Sequence, residues 1–474
     1  MKASNNLGNK ESGSMNSPIS EISQELLSYI LDIVRNEFEG DTDEDREKRL
    51  KVVTVASHVS SFWRFVVLDH PLWWTELTIF PTWNLAAIDV HLKQSQQCLL
   101  DLRISRTIPF YRRLLCYTTP LPPSEKDCLD LLELIFPHLH RCRVLQIDGI
   151  FKHGTKALFK YLERLFNTPL PDLDRLTLDV WLDKHRLHFD GGRKLLFTSA
   201  PLLRDLRLLG VEMKYISLPS TSLTSLHLSR GSHPAIISYV ELAKELEACE
   251  NLAELAIYND VLDMLELYPR HPTCRIPSLK TLLLLGNMDM VSELLVTLDA
   301  PNLEELVIAP AAGRQDLELY QNMKDGSAVV KPHFPSLRWL TVAPLGPEEF
   351  AEVMENASAA FPLIEHLTIA NTYLEEFCDA FTSNMFFTKL VDLALTDVDQ
   401  TFADAILAVG KYRLENRVPL KNLILDSHSF KILSKHPSLL EEPYFKLKEG
   451  NLWEARRRTL LNNEVKDLYT GPPF

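Results

Sequence analysis

The chain has 474 residues, of which 46% are hydrophobic and 24% charged, and its formal net charge is -14. This length and composition predict a folded protein with a large core, built as two or three domains or as one repeat array with an attached module. The acidic balance excludes a general nucleic-acid footprint and disfavours acidic membranes, because phosphate binding needs a concentrated basic face. The sequence contains no run of about 18 apolar residues, so no membrane-spanning segment is predicted.

Cysteine usage and the N-terminal stretch indicate a reducing compartment. The seven cysteines are scattered and never form a Cys-x-x-Cys pair, which is typical of free thiols. Residues 1–17 are polar and rich in Ser, Asn and Gly, so we expect no secretory signal there and a disordered segment instead. A cytoplasmic or nuclear location is therefore predicted.

Two helices are predicted in the segment that follows. Ser23 can cap the first helix, and a second helix is expected from about Arg46 to just before Pro71, since proline cannot continue it. Each helix has apolar residues at three- and four-residue intervals. They are Leu26, Leu27, Ile30, Leu31 and Val34 in the first, and Leu50, Val53, Ala56, Val59, Trp63 and Val66 in the second.

The aromatic residues of this segment exceed what two short helices can bury against each other. Phe62, Trp63, Phe65, Trp73 and Trp74 all fall within it. An apolar excess of this kind indicates a surface that meets a partner. The acidic stretch 39–45 between the helices is interpreted as a solvated connector rather than a docking site.

The motifs of residues 18–80 resemble an F-box, in the long form common in large fungal F-box families. The pattern is Ile22-Ser23-x-Glu25-Leu26-Leu27, then Val59-x-x-x-Trp63-Arg64, then Pro71-Leu72-Trp73. Ile22-Ser23 stands where the family has Leu-Pro, and Ser60 where it has Cys. The resemblance implies docking on a Skp-type adaptor and, through it, on a cullin-RING ubiquitin ligase. The implied adaptor-binding residues are Ile22, Leu26, Leu27, Ile30, Val59, Trp63, Pro71 and Trp73.

A Leu-x-x-Leu-x-Leu pattern then recurs along the chain. Successive units are mostly separated by twenty to thirty-odd residues, for example 24 between Leu282 and Leu306, which fits leucine-rich repeats with insertions. The middle apolar positions are Leu77, Leu102, Leu145, Leu176, Leu206, Leu226, Leu255, Leu282, Leu306, Leu340, Leu367, Leu393 and Leu423. The series resembles the divergent leucine-rich repeats that follow many fungal F-boxes.

The predicted fold class is therefore α/β, with an N-terminal helical F-box followed by a curved leucine-rich-repeat solenoid whose parallel sheet lies inside and whose helices lie outside. The predicted domains are residues 1–17, 18–80, 81–430 and a C-terminal cap and tail at 431–474, with a helix at 452–468. Within a strand, alternation sends Leu176 and Leu178 to the core and Thr177 to the concave face. Helices between the strands are predicted at 156–166, 236–248, 288–298, 348–360, 373–381 and 402–413.

The sequence contains no motif of a common enzyme class. A phosphate-binding glycine loop, His-Glu-x-x-His and Gly-x-Ser-x-Gly are all missing. His138, His140 and Cys142 lie close together but match no standard zinc spacing, so a structural role is preferred. We therefore predict no catalytic residue, no metal and no cofactor.

The concave face is the predicted client-binding surface. Its outward positions on the central strands form an apolar strip that includes Leu283, Leu285 and Val307, with Trp339 as anchor, because interface hot spots favour tryptophan. An equally weighted alternative is that the loop 311–331 covers Leu283 and Leu285.

These features predict a substrate-recognition subunit of a Skp-cullin-F-box E3 ubiquitin ligase, which binds the adaptor through the F-box and an unidentified client protein through the repeats. It is predicted not to be an enzyme. The alternative is a leucine-rich-repeat interaction scaffold without ligase coupling, and an enzyme built on the solenoid is a third, disfavoured possibility.

Overall fold

The computed structural model describes most of the chain between residues 22 and 450. The described residues are 22–38, 43–79, 84–105, 125–148, 164–165, 168–179, 195–196, 200–210, 216–229, 237–258, 261–263, 273–286, 288–311, 334–344, 347–370, 374–396, 398–436, 439 and 444–450. The chain divides into two compact units. Unit 1 comprises residues 1–102 and 107–121, and unit 2 comprises residues 103–106 and 122–474. The predicted N-terminal segment 1–17 and the predicted helix 452–468 lie outside the described residues.

Unit 1 is mainly helical. Its elements are α1 (Gln24–Asn36), α2 (Asp43–Val59), α3 (Ser61–Leu68), a 3-10 turn (Pro71–Trp74), β1 (Glu76–Ile79), α4 (Leu85–Gln94) and the beginning of β2 (Leu100–Ser105). Ser23 caps α1 as predicted, since its hydroxyl accepts a hydrogen bond from the backbone N–H of Leu26. Unit 1 extends beyond the predicted boundary at residue 80 and includes α4, which the sequence patterns did not indicate.

The second predicted helix is two helices. Ser60 has φ -157° and ψ 171°, an extended conformation that ends α2 and begins α3. Its hydroxyl accepts a hydrogen bond of 3.2 Å from the backbone N–H of Trp63. A backbone N–H in the first turn of a helix has no partner within the helix, and the serine hydroxyl supplies one. Ser60 therefore both separates α2 from α3 and caps the helix that follows. The prediction of one continuous helix was wrong at this point.

The core of unit 1 is formed by buried side chains on one face of each of the first three helices and by one side chain of the 3-10 turn. It consists of Leu27, Leu31, Val53, Ala56, Val66, Val67 and Trp73. The indole N–H of Trp73 donates to Asp32 Oδ1 at 2.6 Å, so this large buried side chain is also hydrogen-bonded. Arg49 pairs with Glu76 at 2.8 Å and donates to the carbonyl of Phe38, which ties α2 to the end of α1 and to β1.

Unit 2 is built of strands and helices. Its strands after β2 are β3 (Cys142–Asp148), β4 (Arg175–Asp179), β5 (Asp205–Leu209), β6 (Ser225–Ser229), β7 (Glu254–Tyr258), β8 (Thr281–Leu285), β9 (Glu305–Ala311), β10 (Trp339–Pro344), β11 (His366–Ile369), β12 (Asp392–Leu395), β13 (Asn422–Leu425) and β14 (Lys446–Glu449). Its helices are α5 (Glu125–Ile135), α6 (Tyr239–Glu247), α7 (Met288–Thr297), α8 (Pro347–Ala360), α9 (Leu374–Ser383), α10 (Ala403–Glu415) and α11 (Ser427–Leu433), with 3-10 turns at Phe136–Arg141 and Gln400–Phe402.

The strands of unit 2 form a large parallel sheet in which each strand pairs with the next one along the chain. Every neighbouring pair from β3 to β14 is parallel and in register, for example Leu255 beside Leu282 and Leu282 beside Leu306. The thirteen leucines predicted as strand centres all lie in strands, from Leu77 in β1 to Leu423 in β13. The fold is therefore α/β with sequential parallel strands, as predicted. The sequence series missed β14, because Lys446–Glu449 alternates with lysine and has no preceding leucine corner.

Three pairs of very short strands accompany the main sheet. They are Leu195–Leu196 with Ile216–Ser217, Ile237–Ser238 with Leu262–Asp263, and Cys274–Arg275 with Leu298–Asp299. Five of the six predicted helices are present within a few residues of their expected bounds. The sixth, at 156–166, has only residues 164–165 described, and both are helical.

A ladder of backbone hydrogen bonds joins the turns that precede the strands. The carbonyl of Ala253 accepts from the N–H groups of both Lys280 and Thr281, each at 2.9 Å. The carbonyl of Lys280 in turn accepts from Glu304 and Glu305 at 2.8 and 2.9 Å. The accepting residues are Arg143, Asp174, Arg204, Thr224, Ala253, Lys280, Glu304, Arg338, Glu365, Val391 and Lys421. Most of them accept two donors.

A buried apolar residue, in most repeats a leucine, precedes each of these carbonyls and fills the corner. Leu279 and Leu303 have no exposed surface, and each closes a turn by a backbone hydrogen bond to the residue three positions earlier. Side chains reinforce some corners, since Asn251 and Asn302 donate to the carbonyls of Thr221 and Pro277 at 2.8 Å.

Gly410 lies where α10 meets the segment that leads into β14. A Cβ atom at this position would lie 2.8 Å from Phe445 Cε1 and 3.0 Å from Tyr444 Cβ. These distances are shorter than van der Waals contact, so only glycine fits without movement of the neighbours.

We predict that Gly410→Ala destabilises the docking of residues 444–450, although alanine favours helices over glycine by about 1 kcal/mol. Overpacking costs about 1–3 kcal/mol, so after the gain in helix propensity a net loss of up to about 2 kcal/mol is expected in hydrogen-exchange protection of β14. Lys411→Ala, the exposed next residue, is the matched control. Unchanged or increased protection of β14 in Gly410→Ala would contradict the prediction.

His91 has the most strongly shifted pKa among the described residues of unit 1. It lies on α4 with 3% of its surface exposed, and its ring meets the edge of Trp74 at 5.2 Å between centroids. Burial lowers the pKa of His91 to about 4, and hydrogen bonds to the backbone at Trp74 and Glu76 only partly oppose that shift.

This pKa predicts an acid-sensitive unit 1. In the unfolded chain the imidazole of His91 takes up a proton below about pH 6.5, whereas in the folded unit it stays neutral down to about pH 4. Its contribution to the free energy of unfolding is therefore constant above pH 6.5 and falls as the pH drops from about 6.5 to 4. The loss attributable to His91 approaches about 3 kcal/mol at pH 4. Hydrogen exchange of α4 between pH 4 and 7 measures it, and His91→Leu should remove this pH dependence while His58→Leu, on the exposed side of α2, should retain it. The same slope in His91→Leu would rule out His91 as its source.

Candidate functional site

Helix α1 of unit 1 is apolar on two faces. Leu27 and Leu31 face the core, as the previous section describes. A second set, Leu26, Tyr29, Ile30 and Ile33, is 51%, 65%, 38% and 47% exposed. Its spacing of three, four and seven residues places the four side chains on one face of the helix. We call this set the α1 stripe.

The helices that pack with α1 also carry exposed apolar side chains. Val55 and Val59 are exposed on α2, Phe65 on α3, and Leu72 on the 3-10 turn. Single exposed apolar residues are ordinary on protein surfaces, but a whole helix face is unusual and indicates an interaction surface. The α1 stripe therefore marks the side of unit 1 on which a partner is expected.

The structure separates the predicted adaptor-binding residues into three groups. Leu26, Ile30 and Val59 are exposed, and Ile22, Trp63 and Pro71 are half-buried. Leu27 and Trp73 are buried at 0% and 2% exposure. The prediction that these last two side chains contact the adaptor is corrected, because both are enclosed by the core of unit 1 and can support the surface only from beneath.

The predicted adaptor-binding set omits four exposed apolar residues, Tyr29, Ile33, Phe65 and Leu72, although Phe65 is among the aromatic residues that predicted a partner surface. Tyr29 and Ile33 continue the helical spacing from Leu26, so a count of apolar residues on both faces of α1 would have found them. The start of α1 is also held from outside the helix, since Gln24 donates to Asp69 Oδ2 at 3.0 Å. Hydrogen bonds from the backbone and from Ser23 lower the pKa of Glu25, which keeps a negative charge at the N-terminus of α1.

The second candidate surface lies on the sheet of unit 2. Residues that open the strands pair in register from one strand to the next, and we call them the first row. They are Arg175, Asp205, Ser225, Glu254, Thr281, Glu305, Trp339, His366, Asp392, Asn422 and Lys446. Alternation puts the third residue of each strand on the same face.

A buried polar group occupies the β6–β7 part of this face. His227 has no exposed surface and uses both ring nitrogens, with Tyr258 Oη at 3.0 Å and Glu254 Oε1 at 2.8 Å. At the β4–β5 end, Asp205 binds the guanidinium groups of Arg175 and Arg207 at 3.1 and 3.2 Å. The contacts of His227 with Tyr258 and Glu254, and of Arg175 with Asp205, link neighbouring strands of the sheet, whereas Arg207 and Asp205 lie on the same strand.

An aromatic and polar chain crosses β10 to β13. The indole of Trp339 stacks on the imidazole of His366, with ring centroids 4.6 Å apart and planes 6° from parallel. His366 Nδ1 lies 2.8 Å from Asp392 Oδ2, and Asp392 Oδ1 accepts from Asn422 Nδ2 at 2.5 Å. Trp339 is held in orientation by this chain and still has 42% of its surface exposed.

The predicted apolar strip is on the predicted face but is not at the surface. The register places Leu283 beside Val307, and Leu285 beside Ala309. These residues are buried in a cluster with Ala256, Tyr258, Ala343 and Ala370. Trp339 is the one predicted client-binding residue that is exposed in the described part of the chain. A client role for Leu283, Leu285 and Val307 would need movement that uncovers them, and the predicted cover, loop 311–331, lies outside the described residues after Ala311.

The histidines and cysteine considered as a metal cluster have other contacts. His138 Nδ1 lies 3.1 Å from Arg141 Nη2, His140 Nδ1 lies 2.9 Å from the carbonyl of Pro137, and Cys142 Sγ lies 3.7 Å from the carbonyl of His138. Among the described residues, no group of three His, Cys, Asp or Glu side chains could hold a metal ion.

No family model matches the chain, and no curated protein sequence matches it. None of the helices that the structure describes combines the length and apolarity needed to cross a membrane.

Two adjacent leucines of α1 distinguish core from surface. We predict that Leu27→Ala destabilises unit 1 by about 2–5 kcal/mol because it leaves a cavity, while Leu26→Ala changes stability by less than about 0.5 kcal/mol. Denaturant unfolding followed by hydrogen exchange of α1 measures both. Similar losses in the two variants would show that the α1 stripe is a buried face, contrary to the structure.

Proposed function

We propose that this chain is the substrate-recognition subunit of a Skp-cullin-F-box ubiquitin ligase, acting in the cytoplasm or nucleus. Unit 1 would bind a Skp-type adaptor, and the sheet of unit 2 would bind a client protein. The observation that carries the proposal is the α1 stripe, a helix face of four exposed apolar side chains within the F-box-like segment. Leu27 and Trp73, which support this face from the core, belong to the same F-box-like motifs.

The energetics favour a binding surface over chance exposure. Fully burying one such side chain stabilises a complex by about 1.5–3 kcal/mol, and the four residues are already ordered on a helix. Little conformational entropy is therefore lost when a partner covers them. The core contacts of Leu27 and the hydrogen bond of Trp73 to Asp32 fix α1 beneath that surface.

The proposed mechanism is proximity. The chain performs no chemistry itself, and the transfer of ubiquitin is carried out by other subunits of the ligase. By holding a client and the adaptor on one polypeptide, it would raise the effective concentration of the client near the ubiquitin-loaded enzyme.

The first test is a pull-down of the purified chain by a Skp-type adaptor. The double variant Leu26→Ala/Ile30→Ala removes half of the α1 stripe and should weaken binding by about ten- to a hundredfold, because two partly exposed side chains contribute about 0.7–1.4 kcal/mol each. Leu414→Ala, which removes a similarly exposed leucine from α10, is the matched control. Circular dichroism of each variant checks that folding is retained.

Binding that the double variant loses and the control keeps would support the ligase subunit. A chain that does not bind the adaptor would refute it and would favour the alternative, a leucine-rich-repeat scaffold without ligase coupling. Equal binding of the wild type and the double variant would show that any adaptor contact lies away from the α1 stripe.

A further inference from the structure

We propose that the outer edge of β14 binds an extended, acidic segment of the client protein, which adds to the sheet as a further strand. This inference rests on the proposed client-binding role of unit 2, and it names the chemistry of the client and its place on the sheet. It starts from the position of β14, which pairs with β13 and is the last strand of the sheet in the described part of the chain.

The hydrogen bonds of β14 show which of its backbone groups face outward. The N–H groups of Lys446 and Gly450 donate to carbonyl groups in and next to β13, at 2.8 and 2.9 Å. Successive residues of a strand direct their backbone groups to opposite sides, so those of Lys448 also face β13, while those of Leu447 and Glu449 face away from it. Two N–H groups and two carbonyl groups therefore point to the position that a further strand would occupy.

The side chains of β14 are more exposed than those of its neighbour. Lys446, Lys448 and Glu449 are exposed and Leu447 is half-buried, whereas all four residues of β13 are buried or half-buried. An exposed edge strand is a template on which an extended chain can form main-chain hydrogen bonds. The exposure of β14 therefore makes its outer edge accessible to a partner.

Both ends of β14 are fixed before any partner arrives. Where the strand begins, Phe445 lies so close to Gly410 of α10 that a Cβ atom would not fit between them. Where it ends, the carboxylate of Glu449 accepts a hydrogen bond from the hydroxyl of Ser427 at 2.7 Å. A strand that is already ordered loses little conformational entropy when another strand is added to it.

Two lysines select an acidic partner. Lys446 and Lys448 lie on the same face of the sheet, the face of the first row, because side chains alternate along a strand. Both are exposed, and neither forms an ion pair within the described part of the chain. Opposite charges stabilise cross-strand pairs. A segment with carboxylates at two alternate positions and an apolar residue between them would therefore face both lysines and Leu447.

A second copy of the chain fits this edge less well. Two β14 strands related by a two-fold axis run antiparallel, and in the arrangements with most overlap the axis passes through Leu447 or Lys448. The first arrangement places Lys446 opposite Lys448 of the other copy, and the second places the two copies of Lys448 opposite each other. Like charges in these positions are destabilising, and lysines on edge strands oppose self-association in this way.

The first test is residue-resolved hydrogen exchange of the full chain. In the free chain the N–H groups of Leu447 and Glu449 should exchange at least about tenfold faster than those of Lys446 and Lys448, which bond to β13. A saturating nonapeptide of alternating glutamate and valine should slow the exchange at Leu447 and Glu449.

Protection of Leu447 and Glu449 in the free chain would show that the edge is already occupied and would overturn the proposal. Protection that rises with chain concentration would identify a second copy as the occupant. Protection that does not depend on concentration would identify the chain itself.

The second test measures the charge preference by fluorescence anisotropy, with the same peptide carrying fluorescein. Lys446→Glu/Lys448→Glu should weaken its binding at least about tenfold, since two attractive cross-strand pairs become repulsive. This variant should instead bind a peptide of alternating lysine and valine more tightly than the wild type does. Lys446→Gln/Lys448→Gln should lie between the wild type and the charge-reversed variant.

Lys431→Glu/Lys435→Glu is the matched control, since it makes the same change of charge at two exposed lysines within and just after α11. Its effect should be less than about twofold, because salt screens charges that do not contact the peptide. An equal loss in the control would show non-specific attraction and overturn the edge as the site. No binding by the wild type, or equal binding by the charge-reversed variant, would also overturn it.

The adaptor pull-down separates this inference from the proposed function. Lys446→Glu/Lys448→Glu should bind the adaptor like the wild type, since its changes lie in unit 2. Failure of the edge site with adaptor binding intact would refute only the client chemistry. Circular dichroism checks folding, and Lys446→Gln/Lys448→Gln decides the outcome if the charge-reversed variant does not fold.

Discussion

The sheet of unit 2 depends on one repeated backbone interaction, the corner carbonyl that in most repeats accepts two N–H groups from the following repeat. Ala253 and Lys280 show the pattern most clearly. Such a carbonyl uses both of its lone pairs, so it sets the height and the register of the next strand together. The strict in-register pairing of the first row follows from this, and so does the placement of Trp339 between Glu305 and His366.

Unit 1 depends on a different constraint, because α1 packs into the core with one apolar face and exposes a second apolar face to solvent. One face buries Leu27 and Leu31, while Leu26 and Ile30 on the neighbouring face stay in solvent. A helix with apolar residues on most of its circumference is usually enclosed by protein. In unit 1, α1 is covered on one face only. Hydrogen bonds hold it in place: the Ser23 cap, the bond from Trp73 to Asp32 and the bond from Gln24 to Asp69.

The repeat pattern was readable because leucine at the strand centre is the residue that the core requires in every repeat. The thirteen predicted centres were therefore found, whereas β14 escaped because Leu447 lies between two lysines. Periodicity could not reveal the break at Ser60, since the apolar spacing continues through it and only the serine hydroxyl marks the cap. Burial was the least predictable property, because alternation gives the face of Leu283 and Val307 but not what lies over that face.

Because the corners are equivalent, the chain can gain or lose whole repeats. Lys280 and Glu304 bond to the carbonyls of Ala253 and Lys280 in the same way, so removal of the 24 residues from Lys280 to Leu303 would leave Glu304 opposite Ala253 with the same donors and acceptor. Whole periods can thus be gained or lost by duplication or deletion without a new kind of joint. Such an event would bring different first-row side chains next to one another and so change what the sheet can bind, while the core remained the same.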